Sequence, residues 1–114
     1  MQQSIWLIMK TAAGGERPFR LGKQRTIIGR EVRSDVRIAL PTVAAQHCDL
    51  TIDDGQLRLR DLGSPHGTLH NGRPVREAVL ADADRLTVGP VTFEVRFAED
   101  DDPVVAGEAQ AIAR

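Results

Sequence analysis

The stretch "QLRLRDLGSPHGTLHNG", residues 56–72, decides how this chain is read. Its first part alternates Leu57 and Leu59 with Arg58 and Arg60, the period-two pattern of a strand that buries one face and wets the other. Its last ten residues hold three glycines, a proline, an asparagine and two histidines, too many turn formers for a core element. A strand that runs into such a segment ends in a displayed loop. The polar side chains of that loop are candidates to meet a partner.

Outward from this stretch the same period recurs. "DVRIAL" (35–40), "CDLTI" (48–52) and "VTFEVRF" (91–97) alternate, the last with Val91, Phe93, Val95 and Phe97 on one face. "RTIIG" (25–29) and "RLTVG" (85–89) are short β-branched runs closed by glycine. "DDG" (53–55), "NGRP" (71–74) and "VGP" (88–90) supply turn chemistry between them. Short strands with turns roughly every eight to twelve residues predict an all-β sandwich. No segment before residue 98 shows a helical period.

At 114 residues the chain fits a single domain. Apolar residues make up 41% but aromatics only 4%, with no Tyr, so the core must rest on Val, Leu and Ile. Cys48 is the only cysteine, which excludes an intrachain disulfide framework and a cysteine zinc cluster. The opening "MQQSIWLIMK" has an apolar run of five residues, Ile5 to Met9, too short for a signal peptide or membrane span. It reads as a first strand, and the expectation is a soluble, cytoplasmic protein with no membrane partner. Residues 1–97 carry fourteen Lys and Arg against eleven Asp and Glu, an excess of +3 that is too small for a nucleic-acid footprint. Residues 98–114 carry one Arg against five acids. The expected organisation is therefore a β-sandwich over 1–97 and an acidic, flexible tail or linker over 98–114.

The order of motifs resembles the forkhead-associated (FHA) domain family over residues 4 to 97. The landmarks are "IIGR" (27–30), "SDVRIAL" (34–40), "VAAQHCDL" (43–50), "LRLRDLGSPHGTLHNGRPV" (57–75) and "DRLTVGPVTFEV" (84–95). The resemblance implies a β-sandwich of about eleven short strands whose loops at one end bind phosphothreonine peptides. It implies that Arg30, after Gly29, belongs to the phosphate pocket. Where the family has a Ser-Arg pair before its histidine, this chain has Ala44 and Ala45. Where the family has Ser or Thr followed by Asn, this chain has Pro65 and His66. Ser64, Gly67, Thr68, Asn71 and Gly72 keep the loop pattern, and His47 matches the family's buried structural histidine.

The candidate peptide-binding set is thus Arg30, Ala44, Ala45, Ser64, His66 and Asn71, with no catalytic residue, metal or cofactor expected. Each has a plainer reading. Arg30 is either a phosphate clamp or a loop-pinning ion pair with Glu31 or Asp35. His66 is either a cationic donor to an anion or, like Asn, a residue that tolerates an unusual backbone angle. Ser64 beside His66 lacks a nucleophile-elbow pattern and reads as a turn residue. His66 and His70 sit on a loop and a strand, without the shared face that a zinc site needs. A hydrogen bond to a charged group contributes ~1.5–3 kcal/mol, so a missing serine hydroxyl alone weakens phosphate binding about 10- to 150-fold. The expected function is a protein-interaction module, signalling or scaffolding, that binds a partner through its loop end with phosphothreonine dependence weakened or lost. The alternative is a phosphothreonine-peptide reader with a pocket rebuilt around Arg30 and His66.

Overall fold

A computed structural model of the chain describes residues 3–11 and 14–99. Eleven strands follow in chain order: β1 (Gln3–Lys10), β2 (Glu16–Arg20), β3 (Arg25–Gly29), β4 (Val36–Arg37), β5 (Cys48–Asp53), β6 (Gln56–Asp61), β7 (Thr68–His70), β8 (Arg73–Val75), β9 (Glu77–Leu80), β10 (Arg85–Val88) and β11 (Val91–Glu99). They make a six-stranded sheet, β2-β1-β11-β10-β7-β8, and a five-stranded sheet, β4-β3-β5-β6-β9. The pairings are antiparallel except β3 with β4. The all-β sandwich expected from the alternation is the fold. No helix of the described residues is long and apolar enough to cross a membrane.

The core sits between the sheets, where the alternating residues put it. Leu7, Leu86, Val88, Phe93 and Val95 come from one sheet, and Ile28, Cys48, Leu50, Leu57 and Leu59 from the other, all buried. Each such side chain contributes ~1.5–3 kcal/mol by leaving water, so the aliphatic core compensates for the scarcity of aromatics. Phe19 meets the fully buried Phe93 edge-on at 6.3 Å. Burial, with the Asp61 carboxylate second, pushes the Cys48 thiol up to about 12, which leaves it a packing residue.

Two boundaries differ from the sequence reading. "DVRIAL" yields only the two residues of β4. Val36 and Ile38 are buried as the alternation requires, but Leu40 N bonds Ile38 O at 3.0 Å and Pro41 follows, so the chain turns away from the sheet. At the other terminus β11 runs to Glu99, with Ala98 buried, two residues past the expected limit at 97. The rest of the acidic tail, 100–114, lies outside the described residues.

On the outer face of the five-stranded sheet Asp49 is buried to 2% exposure under two arginines. Its Oδ2 accepts from Arg25 Nε at 2.9 Å, Arg25 Nη2 at 2.8 Å and Arg60 Nη2 at 3.0 Å. A carboxylate cannot be buried without such partners.

Candidate functional site

Four loops meet at one end of the sandwich: 30–35, 38–47, 62–67 and the Gly89-Pro90 turn. Backbone bonds fix the first to the second, with Arg30 N donating to Ala44 O at 2.9 Å and Glu31 N to Ala45 O at 3.2 Å. Gly29 is what lets them approach. A Cβ there would stand 2.2 Å from Ala45 O, inside any permitted contact. Arg30, Ala44 and Ala45 are therefore brought together.

His47 fixes the second loop to the third. It is fully buried, and its Nδ1 accepts from Ala44 N at 3.1 Å. Nε2 therefore carries the proton and donates to Gly67 O at 2.8 Å. The structural role that the resemblance implies for His47 is the one found.

The third loop is organised by Asp61, which the sequence reading did not single out. Its Oδ1 accepts from Gly63 N at 2.8 Å and Ser64 N at 2.9 Å, and its Oδ2 from Ser64 Oγ and Thr68 Oγ1, both at 2.6 Å. Ser64 is thus a turn residue whose hydroxyl proton is already committed, and Asp61 is its partner. An Asp at the end of an alternating strand, two and three residues before Gly and Ser, is the signal that could have found it.

His66 is exposed at the tip of this loop. Its backbone does not have positive φ; Gly63 (φ 88°) and Gly67 (φ 79°) take the left-handed positions on either side. The reading of His66 as a residue chosen for its backbone angle is therefore set aside. The imidazole stands beside a groove of about 360 Å³ lined by Thr42, Gly67, Leu69, Thr87, Gly89 and Pro90. Arg30 is likewise exposed, and its guanidinium makes no ion pair among the described residues. The alternative reading of Arg30, an ion pair with Glu31 or Asp35, is not found among the described residues; Asp35 instead accepts from Lys23 Nζ at 2.6 Å and Ile27 N at 2.9 Å.

Asn71 is the one candidate that the fold takes away. It lies in the β7–β8 turn, beyond the other end of β7 from His66, with φ 51°. Asn71 Oδ1 accepts from Arg85 N at 2.8 Å, and its own N donates to Arg85 O at 2.8 Å. Its work is to hold that turn. Asn71→Ala should cost ~1–3 kcal/mol of stability and leave peptide affinity unchanged, as chemical denaturation and a binding titration would check. His70 is also at that end, its Nε2 donating to Asp84 Oδ2 at 2.7 Å, so His66 and His70 are not brought together.

Among the described residues Asp35, Asp61 and Asp84, besides the exposed Glu16, are carboxylates held below their usual range. Burial pushes Asp61 upward, but the bonds from Ser64, Thr68 and Gly63 outweigh it and hold the group below the usual range. Asp84 is likewise pushed up by burial and held below its usual range by Ala81 N, His70 and Asn71. Asp35 is lowered chiefly by Lys23. A lowered folded pKa gives stability that is complete above the unfolded value, ~3.9, and is lost as pH falls through the folded values. The urea midpoint should therefore be flat from neutral pH to about 5 and fall below about 4, with a shallower fall in Asp61→Asn.

The family model for the FHA domain matches residues 26–89. The glycogen accumulation regulator GarA of Mycolicibacterium smegmatis is 33% identical over 86 residues, 75% of this chain and 54% of that protein. The chain thus spans about half the length of this curated relative. An FHA domain solved for a structural and functional analysis of phosphothreonine-dependent FHA interactions superposes with a TM-score of 0.75 at 32% identity, covering 82% of this chain and 95% of that one. The FHA domain of FhaA, solved in complex with the intracellular domain of Rv3910, gives 0.71 at 30% identity, covering 83% and 100%. The chain belongs to the FHA domain family, and it is a protein-interaction module of that family.

Proposed function

We propose that this module takes a cytoplasmic partner protein at its loop end, with phosphothreonine contributing to the binding but less than a complete pocket would give. The observation that carries this reading is the contrast between the two banks of the site. Arg30 is exposed and without an ion pair among the described residues, whereas the facing positions 44 and 45 hold alanine and offer no hydroxyl or cation. A phosphate held by one guanidinium in water keeps only part of its affinity. That the relatives include a domain studied for phosphothreonine dependence and one bound to a partner's intracellular domain supports the ligand class.

A second reading is favoured by the exposure of His66 beside the groove. As a cation the imidazole would donate to the phosphate and rebuild the pocket with Arg30. The experiment is binding to a degenerate phosphothreonine peptide library beside its unphosphorylated twin, at pH 6 and pH 8. A modest preference for the phosphorylated library, equal at both pH values, supports the first reading. A preference that grows at pH 6 supports the second, and no preference at either pH overturns both.

A further inference from the structure

We infer that the 30–37 loop is a specificity element for an acidic partner segment, with Arg33 and Arg37 reading carboxylates that flank the phosphothreonine site. This rests on the reading of the loop end as the binding site. The loop is closed at its neck by the Ile28–Val36 and Gly29–Arg37 pairings and by Ile38 N donating to Gly29 O at 2.8 Å. Arg37 Nε donates to Arg30 O at 3.0 Å, so Arg30 and Arg37 stand side by side at that neck. Arg33 sits at the tip, in the turn that Ser34 N closes on Glu31 O at 3.0 Å.

Arg33 and Arg37 are both exposed, and neither forms an ion pair among the described residues. Of the two acids in the loop, Asp35 is spent on Lys23 and Ile27 N, so Glu31 alone offsets three guanidiniums. The neighbouring segment 38–46 carries no charged residue, and His66 is the only titratable group of 62–67. The cationic centre of the loop end has therefore moved onto the 30–37 loop, away from positions 44 and 45. At its tip Val32 is 79% exposed, so the loop displays an apolar side chain next to Arg33 in sequence. Guanidinium forks with an apolar side chain beside one of them suit a peptide with carboxylates close together.

The test uses four degenerate peptide libraries: central threonine phosphorylated or not, and flanks of Asp or of Asn on both sides. Binding is read by fluorescence anisotropy in low salt and in 0.5 M salt. One well-placed exposed pair is worth up to about fivefold, so Asp flanks should tighten binding about five- to twentyfold in low salt and lose most of that gain in high salt. Arg33→Gln should remove about fivefold of the gain while leaving the phosphate preference unchanged. Because Arg37 also pins the loop, Arg37→Lys serves beside Arg37→Gln to separate lost charge from lost geometry. A flank effect below twofold, or one that survives Arg33→Gln and Arg37→Gln together, overturns the inference while the phosphate preference stands or falls by itself. Failure of all four libraries to bind overturns the inference and the loop-end reading alike.

Discussion

Ala44→Ser is expected to tighten phosphothreonine-peptide binding by about 10- to 150-fold while leaving the unphosphorylated twin unchanged. The magnitude is that of one hydrogen bond to a charged acceptor, ~1.5–3 kcal/mol. It is realised in full only if the donor is already in place. Here the backbone of residue 44 is held from both sides, its carbonyl by Arg30 N and its amide by His47 Nδ1. A hydroxyl introduced there has little ordering left to do. Isothermal titration of the two twins against the variant measures both numbers. A gain shared equally by the unphosphorylated peptide would mean that residue 44 meets the peptide backbone and not the phosphate.

Gly29→Ala is expected to have the largest effect on stability, ~3 kcal/mol or more, because the new methyl would stand 2.2 Å from Ala45 O and 2.9 Å from Ala45 C. Both are backbone atoms and cannot swing aside as a side chain would. The 38–47 loop would have to move off β3, breaking the Arg30–Ala44 and Glu31–Ala45 bonds. For a domain of this size that corresponds to a fall in melting temperature of about 12–24 °C, with peptide binding lost alongside. Thermal unfolding followed by circular dichroism decides it. A shift of only a few degrees would show that the loop is not pressed against β3.

Much of the fold was legible because alternation records burial directly: Leu57, Leu59, Phe93 and Val95 point inward as their period says. Three strands escaped notice: β9, whose alternation runs over only four residues, and β2 and β8, where burial leaves no such record. β2 reads "ERPFR" at a sheet edge, with a proline that a central strand would not tolerate, and β8 reads "RPV" at another. Arg30, Ala44 and Ala45 were legible as one site only through the family's motif order, since contacts between loops leave no local period. Asn71 was misplaced for a related reason. Its pattern, Asn-Gly after a strand, marks a turn, but a sequence does not say at which end of the sandwich that turn falls. Asp61 went unremarked because its spacing to Gly63 and Ser64 marks a turn without saying which side chain closes it.

The proposed partner-binding face is made by the 30–35, 42–47 and 64–67 loops. Amide chemical-shift mapping on the full chain, titrated with the tightest-binding phosphothreonine peptide, tests it most directly. The expected result is that the largest shifts fall on Arg30, Arg33, Ala44, Ala45, His66 and Gly67, with Asn71 and Asp84 unmoved. Shifts centred instead on the outer face of the five-stranded sheet, around Arg25, Arg58, Arg60 and Glu77, would contradict it.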